Sequence, residues 1–288
     1  MFELLKDAYD LHIHSAPDVV ARRVTDTDLA KNAALCGMKG FVIKAHQFNT
    51  AGRAALIREQ FPGCNALGSV TLNAAMGGIN PLAVEMAGRL GAKVVWFPTV
   101  DAENEHAFRA GNAGAAKPYG AVSDDDSLRR RHISVFENGA IADDVYSVLD
   151  IIAAHGMVLA TGHISKRESL ALVKAAKERK VEKIILTHPN YPATRISAEE
   201  QKEYIKAGAF IEQPYLQIYC GEADWNAVVA QIRAVGPEHV VLSTDMGQVS
   251  SPEPHAGLDE YIGRLLREGF DENSIRTMIV KNTAQLVD

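Results

Sequence analysis

Short apolar runs alternate along the chain with longer stretches of helical periodicity, and this alternation predicts the architecture. Eight runs read as strands: AYDLHIH (8–14), GFVIKAH (40–46), ALGSVTL (66–72), AKVVWFP (92–98), MVLATGH (157–163), KIILTHP (183–189), AFIEQPY (209–215) and HVVLSTD (239–245). Most carry the β-branched Val or Ile that suits a pleated, buried surface. The segments between them carry helix signals. In NPLAVEMAGRLG, Asn80 is placed to cap, Pro81 fits the first helical position and Gly91 ends the helix. In SAEEQKEYIKAG, Ser197 and Glu200 have the spacing of a capping box, and Gly208 stops the helix before the next strand. SKRESLALVKAAKERK and ADDVYSVLDIIAAHG are amphipathic, and each leads into a strand.

Strand starts are separated by 32, 26, 26, 65, 26, 26 and 30 residues. A repeating β-then-α unit of about 30 residues implies parallel strands joined by helical crossovers. Eight such units predict an α/β fold closed into a (β/α)8 TIM barrel. The rival, a doubly wound open sheet, calls for a Gly-rich phosphate loop after a strand, and neither GxGxxG nor GxxxxGK[ST] occurs in such a place. The one long spacing follows the fourth run. It predicts an insertion, or lid, over about residues 101–137, rich in Gly, Ala, charge and turn formers.

Composition adds limits. With 288 residues, 47% hydrophobic and 23% charged, the chain reads as one soluble domain spanning 1–288. Its 30 basic and 36 acidic residues give a net charge of -6, which excludes a global positive field gathering nucleic acid or an anionic membrane. Cys36, Cys64 and Cys220 form no short-spaced pair, so neither a disulfide framework nor a thiolate zinc site is expected. No stretch has the length of a membrane span, and the N-terminus MFELLKDAYDLHIHS lacks a signal-peptide pattern. The expectation is a cytoplasmic protein with a small-molecule partner, able to form a homo-oligomer as many soluble enzymes do.

In a parallel barrel all strand C-termini meet at one mouth. The first run ends with His12 and His14, the second with Lys44 and His46, the fifth with His163, the sixth with His188 and the eighth with Asp245. His12 and His14 are two apart on a strand, so their imidazoles project to one side and can grip a single ion. Imidazole nitrogens with one carboxylate suit zinc, or manganese or iron in a more open site, and leave room for a water that ionises near neutral pH. Five of the ten histidines stand at strand C-ends on four strands, which separates this pattern from a chance His-x-His. His155, His239, His106, His132 and His255 read as helix-end, far-rim or loop residues.

These residues resemble the amidohydrolase superfamily of metal-dependent hydrolases over nearly the whole chain. DLHIHS (10–15) is similar to its strand 1 motif, TGH (161–163) to its strand 5 histidine, LTHP (186–189) to its strand 6 histidine and STD (243–245) to its strand 8 aspartate. MIVKNTAQLV (278–287) resembles its closing helix. The resemblance implies that His12, His14 and Asp245 bind the more buried metal, while His163 and His188 hold a second ion or divide ligation and substrate polarisation between them. It also implies that Asp245 moves the proton of the attacking water. Two-metal members carry a bridging carboxylated lysine or a glutamate at the end of strand 4, where this chain has Trp96, Phe97, Pro98 and Thr99. That departure favours one ion over two.

Lys44 is assigned to anchoring a substrate carboxylate or phosphate, with a carboxylated bridge as its alternative. His46 and Arg23 complete the expected substrate-binding set. Arg22 and the insert's Arg129, Arg130 and Arg131 could likewise attract an anion. The expected activity is metal-dependent hydrolysis of an amide, ester or lactone in a small, anionic molecule. Metal-dependent decarboxylation of the aminocarboxymuconate-semialdehyde type is the alternative. Phosphoester hydrolysis and a metal-binding barrel without turnover stand behind it. The continuation SAPDVVARR and the late STDMG depart from polymerase-and-histidinol-phosphatase domains, and the missing strand 4 glutamate departs from TatD-type nucleases.

Overall fold

The structure is a computed structural model and describes residues 2–112 and 132–288. Eight parallel strands form its central sheet in the order β1 (Tyr9–Ile13), β2 (Gly40–Ile43), β3 (Asn65–Thr71), β4 (Ala92–Trp96), β7 (Val158–Ala160), β8 (Ile184–Leu186), β9 (Ala209–Pro214) and β10 (Val240–Ser243). A two-stranded antiparallel ladder, β5 (Phe136–Glu137) and β6 (Ala140–Ile141), lies apart from that sheet. The sheet closes on itself where Asp245 N–H donates to the His12 carbonyl and His14 N–H donates to the Met246 carbonyl, each at 2.8 Å. The fold is thus a (β/α)8 barrel, and its seam lies at residues expected to carry the chemistry.

Side chains partition by strand parity. Tyr9, Leu11, Val42, Leu67, Val94, Trp96, Val158, Ala160, Ile185 and Val241 fill the inside of the barrel with Leu286 and Val287 of the last helix. The alternate positions, such as Phe41, Ile43, Val95, Leu159, Ile184 and Leu242, pack outward against the helix ring. This double burial explains why the strands read as near-continuous apolar runs rather than as an alternation with polar residues. The helices follow their caps. Asn80 accepts from Ala83 N–H ahead of Pro81–Arg89, while Thr25, Ser165 and Ser197 each close a capping box.

The regular ladders end earlier than the apolar runs. His163, His188 and Asp245 lie just past β7, β8 and β10, on backbone already turning into loops. His188 and Asp245 have positive φ, 23° and 54°, a conformation few side-chain-bearing residues adopt and one often held at functional sites.

Of the expected insertion, residues 113–131, including Arg129, Arg130 and Arg131, lie outside the described residues. What precedes them is the helix Glu103–Ala110. The chain that follows returns with Ile133 and Val135 buried, and Glu168 accepts from Ser134 Oγ at 2.6 Å and from Val135 N–H at 3.1 Å.

Candidate metal centre and active-site cavity

The site begins with an irregularity in β1. Tyr9 pairs with Gly40 and Asp10 with Phe41, but the next registered pair is Ile13 with Ile43, so two residues of β1 oppose one of β2. Such a bulge re-aims the side chains beyond it. Leu11 therefore stays in the inner core while His12 also turns inward. The bulge frees the N–H of His12, and Asp10 Oδ1 accepts it at 3.1 Å. The same carboxylate takes Thr244 N–H at 3.1 Å and Thr244 Oγ at 2.6 Å, which ties the bulge to the end of β10.

Above the inner core lies a polar layer drawn from several strands. The His12 ring stands 4.5 Å from the Trp96 ring, and the Lys44 ammonium lies 4.5 Å over that same ring. Lys44 Nζ reaches His12 Nε2 at 2.8 Å. Glu212 Oε1 lies 2.8 Å from His12 Nδ1 and also receives Ser243 Oγ at 2.8 Å, while Glu212 Oε2 receives the His188 N–H at 3.2 Å. A carboxylate only accepts, so His12 carries its proton on Nδ1 and turns the Nε2 lone pair toward the mouth. Burial pulls the Lys44 amine down to about 8, against the pull of Asp245 and Glu212.

His12, His14 and Asp245 each offer one ligand atom within 4.8 Å of the others. Asp245 Oδ1 lies 2.9 Å from His12 Nε2 and 3.2 Å from His14 Nε2. Gln217 Nε2 donates to the other oxygen, Oδ2, at 2.9 Å. Two acceptor atoms at 2.9 Å repel each other unless positive charge lies between them. Burial opposes charge on His12, yet Asp245 and Glu212 outweigh it and raise its pKa, while Lys44 opposes them. Burial likewise acts to raise Asp245, but His12, His14 and Lys44 hold it well below the usual carboxylate range. A buried cluster of two imidazoles and one carboxylate that draws in a proton or an ammonium has the donor set of a divalent-ion site, so these residues fit such an ion.

Across the mouth, His163 is held in the same way as His12. Glu105 Oε2 lies 3.0 Å from His163 Nδ1, and Glu105 Oε1 receives Tyr191 Oη at 2.7 Å and Arg109 Nε at 3.0 Å. His163 therefore turns its Nε2 lone pair away from Glu105. Burial pushes His163 down and His188 well down, which keeps both imidazoles neutral near pH 7. Their rings meet edge-on at 4.7 Å, and the His188 ring lies 6.1 Å from that of His12. His14, Lys44, His46, His163, His188 and Asp245 all line one cavity of about 530 Å³. That volume suits a small molecule.

A family model matches residues 7–212, which is more than half of the chain. The chain belongs to the family of unknown function DUF6282. No curated protein matches the sequence. Solved structures are similar to this DUF6282 member in fold. An amidohydrolase from Pseudomonas aeruginosa has a TM-score of 0.64 at 12% identity, covering 99% of this chain and 96% of that one. An organophosphorus hydrolase from Deinococcus radiodurans has a TM-score of 0.58 at 12% identity, with 99% and 94% covered. A putative 2-pyrone-4,6-dicarboxylic acid hydrolase from Pseudomonas putida has a TM-score of 0.54 at 12% identity, with 97% of each chain covered. At these identities the likeness shows the barrel fold.

In this DUF6282 member the expected residues divide. His12, His14 and Asp245 form the compact group; His163 and His188 face the same cavity outside it. Lys44 sits beneath the mouth against Trp96 and His12, and His46 lines the wall. Arg23 is not brought to the cavity: its N–H pairs with the Gly247 carbonyl and its side chain is exposed. The adjacent Arg22 turns inward instead, its guanidinium 2.7 Å from Asp18 with both side chains almost fully buried. Burial, and after it the Arg22 charge, pushes His14 well down.

Glu212 and Glu105 were not among the expected site residues. A signal for Glu212 exists, because it lies two positions after Phe210 on an inward face that is otherwise apolar. Glu105 carries no such signal, being one acidic residue among several in a charged stretch. Among the described residues, no helix is long and apolar enough to cross a membrane.

Proposed function

We propose that this chain is a metal-dependent hydrolase that cleaves an amide, ester or lactone bond in a small, anionic molecule. The observation that carries the reading is the meeting of His12, His14 and Asp245, one ligand atom from each within 4.8 Å of the others, with Asp245 Oδ1 2.9 Å from His12 Nε2 and 3.2 Å from His14 Nε2, beside a cavity of molecular size. The donor set favours zinc, with manganese or iron as alternatives, and such an ion supplies Lewis acidity and acidifies water when bound. Trp96 fills the inward position at the end of β4, which favours one ion over two.

The chain's own groups divide the remaining work. Asp245 is unprotonated near neutral pH, so it can take a proton from the attacking water and return it to the leaving group. Gln217, donating to Asp245 Oδ2, keeps the other oxygen turned toward the two histidines. The neutral His188 ring lines the cavity wall, and in this reading it stabilises the negative charge that develops on the substrate's carbonyl oxygen. Lys44 keeps most of its charge at pH 7 and offers a counter-charge to an anionic substrate group.

The test is a panel of amides, esters, lactones and phosphoesters, together with carboxylic acids, offered to zinc-loaded protein. The expected result is release of amine, alcohol or ring-opened acid, lost on chelation and in Asp245→Ala. Release of carbon dioxide instead supports single-ion decarboxylation, which the Trp96 position also fits. Stoichiometric zinc without turnover on any member, and with no zinc-bound water titrating near neutrality, would favour a binding barrel over an enzyme.

A further inference from the structure

Hydrogen-bond direction can be followed into the cavity from backbone groups that leave no choice. Thr99 N–H points at Asn73 Oδ1 at 2.8 Å, and a backbone N–H only donates, so that atom is the amide oxygen. Asn73 Nδ2 is therefore the donor, and it gives one hydrogen to the His46 carbonyl at 3.0 Å and one to Thr99 Oγ at 2.7 Å. Thr99 Oγ has already accepted and must place its own proton. Among the described residues, the neighbour within reach is His46 Nδ1 at 2.9 Å.

Were Nδ1 protonated instead, Thr99 Oγ, which is fully buried, would face two donors and its own hydrogen would have no acceptor among the described residues. Such unsatisfied buried groups are rare in folded proteins. Nδ1 of His46 is thus the acceptor, and the proton sits on Nε2, the ring nitrogen left for the cavity. The opposite arrangement holds for His12 and His163, whose Nδ1 atoms donate to Glu212 and Glu105.

From this relay we infer that His46 is a fixed Nε2–H donor that binds an acceptor oxygen of the cavity's occupant, and that it is not a metal ligand. Metal ligation needs a lone pair on the nitrogen that faces the ion. His46 has none there, although its ring stacks on the His14 ring at 4.9 Å. The occupant this selects is one with a carbonyl, carboxylate or phosphoryl oxygen on the β2 side of the mouth. That identity rests on the hydrolase reading; the tautomer and the exclusion from the metal do not.

The experiment therefore avoids turnover as its readout. Imidazole nitrogen resonances of zinc-loaded protein at neutral pH should show His46 protonated on Nε2 with a bare Nδ1, and Thr99→Val should abolish that preference. A proton on Nδ1 would overturn the assignment. His46→Leu and His46→Gln should both keep the zinc stoichiometry of the native protein, and loss of zinc in either would make His46 a ligand.

Acetate and inorganic phosphate serve as probes, followed by the His46 Nε2–H resonance and by calorimetry. For at least one anion, affinity should fall about tenfold or more in His46→Leu, the scale of a hydrogen bond to a charged group, and stay within a few-fold in His46→Gln, which restores an N–H. Equal affinity in all three proteins for both anions, or equal losses in both variants, would sink the donor role. An enzyme that fails the substrate panel yet passes these measurements refutes the hydrolase reading and leaves the donor standing.

Discussion

Glu212 Oε1 lies 2.8 Å from Nδ1 of His12, joining β9 to β1 across 200 positions of sequence. This bond fixes which ring nitrogen faces Asp245. Glu212→Gln keeps the shape but removes the charge and leaves one acceptor oxygen for three donors, His12 Nδ1, Ser243 Oγ and the His188 N–H. Carboxylates that orient metal-binding histidines typically contribute about 10- to 100-fold in affinity or activity. Zinc affinity, measured by competition with a chelating dye, should fall by that factor while the far-ultraviolet circular dichroism stays native. Unchanged affinity would show that His12 is not oriented through Glu212.

Glu105 does the corresponding work for His163, from the helix that follows β4. Since His163 stands outside the compact group of three, Glu105→Gln should separate two properties. Turnover should drop about 10- to 100-fold. Zinc content should stay at the native level. A parallel loss of zinc would place His163 among the metal ligands. Tyr191→Phe removes another donor to the same carboxylate and should produce a smaller effect in the same direction.

The barrel seam supplies a third prediction. Gly247 has φ of +135°, and a Cβ there would lie 1.8 Å from the His14 carbonyl oxygen. Gly247→Ala must therefore move the very segment that closes β1 against β10. Strain of this kind and a backbone clash together cost on the order of 3 kcal/mol or more. The expected outcome is a lower urea midpoint with weakened zinc binding, because the displaced carbonyl belongs to a proposed ligand. Gly91→Ala is the control: φ is +86° there too, but nothing lies within 4 Å of the added carbon and the site is remote, so stability should fall with zinc affinity kept.

How much of this was legible in the sequence depends on the range of each interaction. The eight strands and their order were readable because doubly buried strands carry continuous apolar runs and helix caps are local. His12, His14 and Asp245 were readable because barrel topology sends every strand end to one mouth. The direction in which side chains leave a strand was not. A bulge between Asp10 and Ile13 turns His12 inward beside Leu11, and the Asp10 bond to Thr244 that ties it down spans most of the chain. Arg23 illustrates the converse. Loop residues after a strand follow no fixed parity, and the inward position went to Arg22. Glu105 became visible only once the Glu103–Ala110 helix was placed against His163 and Tyr191.

A last prediction concerns acid stability away from the mouth. Glu200 is held at about 2, below its ordinary 4.5, first by the bond from Lys166 and then by the Ser197 N–H of the capping box. A carboxylate whose folded pKa is depressed contributes stability that is fully present above the unfolded value. That contribution is lost as pH falls toward the folded value. The difference in urea-unfolding free energy between native protein and Glu200→Gln should therefore be constant above about pH 5.5 and shrink steadily between 4.5 and 2. Because the group is largely exposed, the difference should be small and should weaken with salt. Ser197→Ala removes the hydroxyl that accepts the Glu200 N–H and should cost about 1 kcal/mol. Neither change should alter zinc affinity at pH 7. A difference that grows on acidification would mean that Glu200 is not held in its charged form by these bonds.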